Sequence, residues 1–157
     1  MTGFPGPGDV LPDVALTAAA GSALRPSDFA GRKLVLFFYP KDDTPGCTTE
    51  NKDFSELAPA FAKAGVALLG VSKDPPAKHA KFVAKYGLVA PLASDAATGG
   101  LSDALGIWVE KSMYGRTYMG MERTTFLVDA GGKIARVWRK VKVKGHAADV
   151  LEAAQNL

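Results

Sequence analysis

The chain has 157 residues, 47% hydrophobic and 22% charged, with a formal charge of +3. That is enough chain and apolar content for one folded domain with its own core, expected to span 1–157, rather than a disordered or fibrous protein. The charge is too small to argue for a nucleic-acid partner, and a lone cysteine excludes an internal disulfide or a Cys-x-x-Cys redox pair. The start, Met1 to Gly8, is rich in Gly and Pro and is expected to lie extended on the surface. It lacks the charged and apolar regions of a secretory leader. No apolar run approaches membrane-spanning length, so a cytoplasmic protein with a free thiol is the simplest expectation.

Val14-Ala15-Leu16-Thr17 and Ala23-Leu24 flank Ala20-Gly21-Ser22, a weak hairpin signal. Ser27-Asp28-Phe29 before Gly31 suggests a single helical turn. Lys33 to Tyr39 is short, apolar and rich in β-formers, and reads as a buried strand. The following helix carries Phe54, Leu57, Ala58, Phe61 and Ala62 at helical spacing and stops at Gly65. Pro59 lies inside it and is expected to kink or divide it. Val66 to Val71 is the next buried strand. Pro75-Pro76 opens a helix with Phe82, Val83 and Tyr86, closed by Gly87. Leu92-Ala93-Ser94 reads as a short strand. Ser94-Asp95 and Gly99-Gly100 mark turns before a short helix near Leu101 to Leu105. Thr124 to Asp129 and Lys133 to Lys140 flank Ala130-Gly131-Gly132 as a hairpin. Ala147 to Asn156 has Val150, Leu151 and Ala154 at helical spacing. No repeat, linker or low-complexity stretch marks a second domain.

The chemistry concentrates in the twelve residues Tyr39-Pro40-Lys41-Asp42-Asp43-Thr44-Pro45-Gly46-Cys47-Thr48-Thr49-Glu50. Thr44 is a good N-cap, and Pro45 suits the first helical position. Cys47 therefore falls in the first turn of a helix that begins where a strand ends. Free N–H groups and the helix dipole favour an anion there, and the thiolate is the reactive form of cysteine. A lone cysteine is more often a small buried hydrophobe. A structural cysteine, however, needs neither a capped helix start, nor prolines nearby, nor hydroxyls on both sides.

Pro40, Thr44 and Cys47 reproduce the Pro-x-x-x-Thr-x-x-Cys signature of peroxiredoxins. The run from Tyr39 to Glu50, and the segment Trp108 to Met121, resemble the bacterioferritin-comigratory (peroxiredoxin Q) subfamily. The resemblance implies an α/β thioredoxin-like fold, and the order of elements agrees: a central mixed sheet flanked by helices, with an N-terminal β-hairpin. The first strand–helix–strand crossover is expected to be parallel and right-handed. Cys47 would lie beyond the carboxyl end of a central strand, where open α/β sheets place their sites.

The resemblance implies reduction of hydrogen peroxide and alkyl hydroperoxides by Cys47, with no metal, haem or flavin. It gives Thr44 a hydroxyl for thiolate and peroxide, in addition to its N-cap role. It places Arg123 beside the cysteine, where a planar fork suits a thiolate and a peroxide oxygen. Backbone N–H groups of Gly46 and Cys47 are further donors. Pro40 would shape and dry the loop, or else only end the strand in a turn; Glu50, one turn beyond Cys47, would either fix the Arg123 fork or stand exposed to solvent. The aromatics and methionines of Trp108 to Met121 are expected to pack under the site. Arg116 is expected to be a surface charge. His79 and His146 carry no metal spacing and have no expected role. Arg136, Arg139, Lys140, Lys142 and Lys144 read as a solvated strand end, with anion binding the weaker alternative.

The chain departs from the family where many members carry a second cysteine, five residues after the first; that place is Lys52. A sulfenic acid on Cys47 then has no thiol within the chain to condense with, which implies a one-cysteine mechanism. It also leaves the sulfenic acid open to irreversible oxidation. The expected reductant is thioredoxin, or glutaredoxin with glutathione, and the expected state a monomer or weak dimer. The rival readings are a glutathione-linked thiol transferase, which would tolerate loss of Arg123, and a peroxide-sensing or holdase-like protein, which would not turn over.

Overall fold

The computed structural model describes residues 5–96 and 100–157. The turn expected at Gly99 and the first four residues of the Gly/Pro-rich start lie outside them. Leu16–Ala18 (β1) and Ala23–Leu24 (β2) form the N-terminal hairpin, with Leu16 opposite Leu24. A single 3-10 turn over Pro26–Phe29 follows. The chain then runs through Lys33–Phe38 (β3), Pro45–Lys63 (α1), Val66–Ser72 (β4), Pro76–Tyr86 (α2), Leu92–Ser94 (β5) and Leu101–Ala104 (α3). Trp108–Met113 (β6) and Arg116–Met121 (β7) come next, then Thr124–Val128 (β8), Ile134–Trp138 (β9) and His146–Gln155 (α4).

Seven strands form one mixed sheet in the order β2-β1-β5-β4-β3-β8-β9. β3 lies at its centre, parallel to β4 and antiparallel to β8. Covered on both faces, β3 can be apolar throughout, which is why its sequence shows no alternation. Leu34, Leu36 and Phe38 point to one side, where they join Leu69, Val71 and Phe126. Val35, Phe37 and Tyr39 point to the other and meet Phe54, Phe61, Phe82 and Val150 from α1, α2 and α4. Cys47 belongs to this second cluster and is 1% exposed. Each such buried side chain is worth ~1.5–3 kcal/mol. Gly70 in β4 is the one position on that strand where a side chain has no room: a Cβ would lie 2.7 Å from both Leu92 and Phe37.

Two expectations are corrected here. Pro59 does not divide the helix: α1 runs as one element from Pro45 to Lys63. The proline sits on the exposed side, and packing of Phe54, Ala58 and Phe61 against the core holds both halves. The segment Trp108 to Met121 does not pack under the site as a whole. It forms a separate two-stranded hairpin, in which Trp108 faces Met121 across the open end and Met113 faces Arg116 at the tip. Only Met121 is buried and Trp108 half-buried, while Met113, Tyr114, Tyr118 and Met119 are exposed. Tyr114 at the turn has φ 52° and is 98% exposed. No helix among the described residues is long and apolar enough to cross a membrane.

Candidate active site

The site is assembled at the carboxyl end of β3. Tyr39 donates its N–H to Val71 O at 3.0 Å, and the chain then turns away from the sheet at Pro40. Thr44 is extended (φ −93°, ψ 154°), Pro45 takes the first helical position, and Cys47 lies in the first turn of α1. Thr48 N–H donates to Thr44 O at 2.8 Å, the first bond of the helix. The Thr44 side chain, however, does not cap α1. Its hydroxyl donates back to Lys41 O at 2.9 Å, which closes the turn and leaves the Gly46 and Cys47 N–H groups without a side-chain cap.

Arg123 arrives by register. Phe38 pairs with Thr124 in the antiparallel β3–β8 ladder, so the next residues along, Tyr39 and Arg123, lie side by side. The Arg123 carbonyl accepts Val141 N–H at 3.0 Å, which anchors its backbone. One guanidinium nitrogen (Nη2) lies 3.3 Å from Cys47 Sγ and the other (Nη1) 2.7 Å from Glu50 Oε1. A Cβ on Gly46 would come within 3.3 Å of that same Nη2, so glycine is what gives the fork its seat. Asn51 Nδ2 donates to Cys47 O at 2.9 Å and steadies the turn that carries the thiol.

Glu50 is 1% exposed, and its Oε2 has no partner among the described residues. Burial pushes its carboxyl up to about 7, against the pull of Arg123. His146 donates or accepts at 2.8 Å with Thr125 Oγ1 and stacks edge-on against Phe54 and Trp138. Burial, opposed by Asp149 and helped by Arg123, pushes it down to about 4, so its ring is neutral at neutral pH. Lys111, on β6, donates to Met121 O at 2.6 Å. Burial and the neighbouring Arg123 hold its ammonium below the usual lysine value, while Glu122 and Cys47 pull it back.

Of the residues expected at the site, Cys47 and Glu50 each meet Arg123, and Gly46 lies beside its guanidinium. Thr44 and Pro40 lie on the adjoining loop, Pro40 half-buried and Thr44 turned to Lys41. Lys52 is exposed, with its ammonium 5.0 Å over the Tyr86 ring. Arg116 is exposed, as expected. Arg139 is not a free strand-end charge: it makes two hydrogen bonds to Glu122, at 2.9 and 3.1 Å. Sequence reasoning missed Lys111, Asn51, His79 and His146. His79 is fully buried, 2.6 Å from Asp42 of the active loop. Its signal was present: it falls three and four positions before Phe82 and Val83, on the buried face of α2.

The AhpC/TSA family model matches residues 7–137. The chain is 48% identical over 141 residues to peroxiredoxin Bcp of Xanthomonas campestris pv. campestris, covering 90% of this chain and 88% of the relative. It is 42% identical over 150 residues to peroxiredoxin Bcp of Bacillus subtilis, covering 96% and 95%. Among solved structures it is similar to the Xanthomonas campestris bacterioferritin comigratory protein, which was studied in trapped intermediate and ligand complexes for its alkyl peroxide reduction activity. The TM-score is 0.86 at 42% identity, covering 94% of this chain and 98% of that one. A mutant of Xylella fastidiosa PrxQ gives a TM-score of 0.91 at 38% identity, covering 98% of each chain. With its thioredoxin-like fold and its single cysteine set against an arginine, the chain belongs to the AhpC/TSA family, within it to the Bcp (peroxiredoxin Q) peroxiredoxins, in a form with one cysteine, Cys47.

Proposed function

We propose that the chain reduces hydrogen peroxide and alkyl hydroperoxides through Cys47, with Arg123 as the charge that stabilises the reaction. The observation that carries this reading is the divided Arg123 fork: one nitrogen on Glu50, the other 3.3 Å from the only thiol. A surface arginine would not be built into the site this way.

The thiolate attacks the terminal peroxide oxygen. The S–O bond forms as the O–O bond breaks, and the electron pair leaves on hydroxide or alkoxide, which takes a proton from water. Cys47 is left as a sulfenic acid. Negative charge moves from sulfur towards the leaving oxygen, so a donor spanning both positions favours the transition state over the ground state. Arg123 Nη2 is placed to do this, and Glu50 keeps it from turning away. The uncapped N–H groups of Gly46 and Cys47 offer two further donors. Thr44 has spent its hydroxyl proton on Lys41 O, so it meets a peroxide O–H as an acceptor, which orients the substrate. Pro40 lacks an N–H and excludes a water that such a group would hold.

With no second thiol in the chain, the sulfenic acid is attacked by an external thiol. Water leaves, a mixed disulfide forms on Cys47, and a second thiol releases it. Thioredoxin, or glutaredoxin with glutathione, is the reductant class this chemistry calls for. The chain acts as one domain, in a monomer or weak dimer.

The test is one equivalent of hydrogen peroxide on the reduced protein, with dimedone present and intact mass as the readout. A single adduct formed within seconds, absent in Cys47→Ser, is the expected result. A thiol that reacts no faster than free cysteine would overturn the reading and leave the transferase or sensor alternatives.

A further inference from the structure

The loop that leads to Cys47 lacks the device that normally fixes such a loop. Thr44 makes no side-chain hydrogen bond to the first turn of α1. The loop is instead held from the other side, two residues earlier, at Asp42. This aspartate is 2% exposed. Its Oδ1 accepts the Tyr39 hydroxyl at 2.6 Å, and its Oδ2 lies 2.6 Å from His79 Nδ1. That second contact has the distance of an ion pair but not the angle of a hydrogen bond, since Oδ2 has no hydrogen-bond partner among the described residues. The Asp42 N–H donates to Asp74 Oδ2 at 2.7 Å. Asp74 in turn accepts Ser72 Oγ at 3.0 Å and Lys78 Nζ at 3.1 Å.

His79 is 0% exposed, and its Nε2 has no partner among the described residues. The polar contacts of the ring are to Asp42 of the loop and to the hydroxyl of Tyr39, the residue just before it, at 3.4 Å. A buried imidazole with half its hydrogen-bonding capacity unused is costly to keep for packing alone. The next residue, Asp43, takes a left-handed conformation at φ 62°, and is held there by Lys85 at 2.8 Å and Tyr86 at 2.5 Å, both on α2. Two successive loop residues are thus pinned to the same helix.

We infer that His79 is a positioning residue for the Cys47 reaction: through Asp42 it locks the loop of residues 40–44 to α2, and so sets where Pro40 and Thr44 stand relative to the thiol and Arg123. The inference rests on the peroxidase reading above. It adds α2, which contributes no residue to the fork, to the parts that align the peroxide.

The test compares two reactions of Cys47 in the reduced full chain. Peroxide reduction needs the aligned loop; alkylation by iodoacetamide needs only an accessible thiolate. His79→Leu is expected to slow hydrogen peroxide by about tenfold or more, while iodoacetamide changes by less than about twofold, because small misplacements cost large factors only where alignment matters. His79→Asn, whose amide nitrogen takes the place of ring Nδ1, should return the peroxide rate to within about threefold of the parent. Should His79→Leu fail to fold by circular dichroism, Asp42→Asn, which keeps the shape and the Tyr39 bond, is read in the same way. A folded variant that reacts with peroxide at the parental rate would overturn the inference. So would equal slowing by both reagents, or an Asn variant no better than Leu. A parent no faster with peroxide than free cysteine would instead overturn the peroxidase reading and this inference together.

Discussion

Two Glu–Arg pairs meet at neighbouring residues and behave in opposite ways. Glu50 and Arg123 face the thiol, their side chains 1% and 17% exposed. Glu122 and Arg139 face the surface, at 9% and 46%. Glu122 is matched at both oxygens, by Arg139 and by Thr124 Oγ1. Burial opposes its charge, but Arg139, Thr124 and Lys140 together outweigh it and hold the carboxyl below its usual value. Glu50 has one oxygen matched and one bare, and burial pushes it up to about 7. A pair built for stability satisfies its carboxylate. The pair at the thiol leaves its carboxylate half-satisfied because the arginine is shared with sulfur. The same residue types can therefore be sorted into scaffold and site by what the arginine does with its second nitrogen.

The sharpest way to break the contrast is Arg123→Ala. Peroxide reactivity should fall by about a hundredfold or more, the loss typical of removing a preorganised donor, in a variant that stays folded by circular dichroism but is less stable near neutral pH, because the buried Glu50 loses its partner. Gly46→Ala should act more gently. Its new methyl needs the space of Arg123 Nη2, 3.3 Å away, and the fork must shift by a few tenths of an ångström. A loss of about tenfold in peroxide rate is expected, with unchanged far-ultraviolet circular dichroism.

Glu50 sharpens the contrast through pH. Between about 4.5 and about 7 the folded chain keeps a proton on Glu50 that the unfolded chain has released. Stability should therefore fall as pH rises through that window, by up to about 3 kcal/mol. Glu50→Gln should remove that slope in urea titrations at pH 5 and pH 7. Glu122 has the opposite sign: its contribution is present above the ordinary carboxylate range and is lost only as pH drops below it. At the small end, Arg139→Ala should cost about 1 kcal/mol or less, since half its side chain is in water. Lys52→Ala, at the place of the missing second cysteine, should leave the peroxide rate unchanged and remove only an exposed contact with Tyr86.

The sequence made much of this legible, for physical reasons. β3 and β4 are buried on both faces, and an uninterrupted apolar run has little else to be. Gly65 and Gly87, at φ 76° and 62°, end helices as glycines do. Cys47 was carried by a motif and Arg123 only by the family resemblance, and the ladder register shows what brings the two together across 76 residues. What was hidden depended on tertiary context. Pro59 reads as a breaker, but packing on both sides keeps α1 whole. Tyr114, Tyr118 and Met119 look like core residues and are exposed, because the hairpin that carries them stands apart from the sheet. Thr44 has the composition of an N-cap, yet its hydroxyl turns to Lys41. His79 and Asp42 are separated by a strand and a turn, and only the fold brings them within 2.6 Å.

The most direct test of the account is a side-by-side stopped-flow measurement of hydrogen peroxide consumption by Arg123→Ala and Arg139→Ala in the reduced full chain. Arg123→Ala should be slower than the parent by about a hundredfold or more, and Arg139→Ala should lie within about twofold of it. Equal rates for the two variants would contradict the claim that the arginine shared with sulfur is what makes Cys47 a peroxide-reactive thiol.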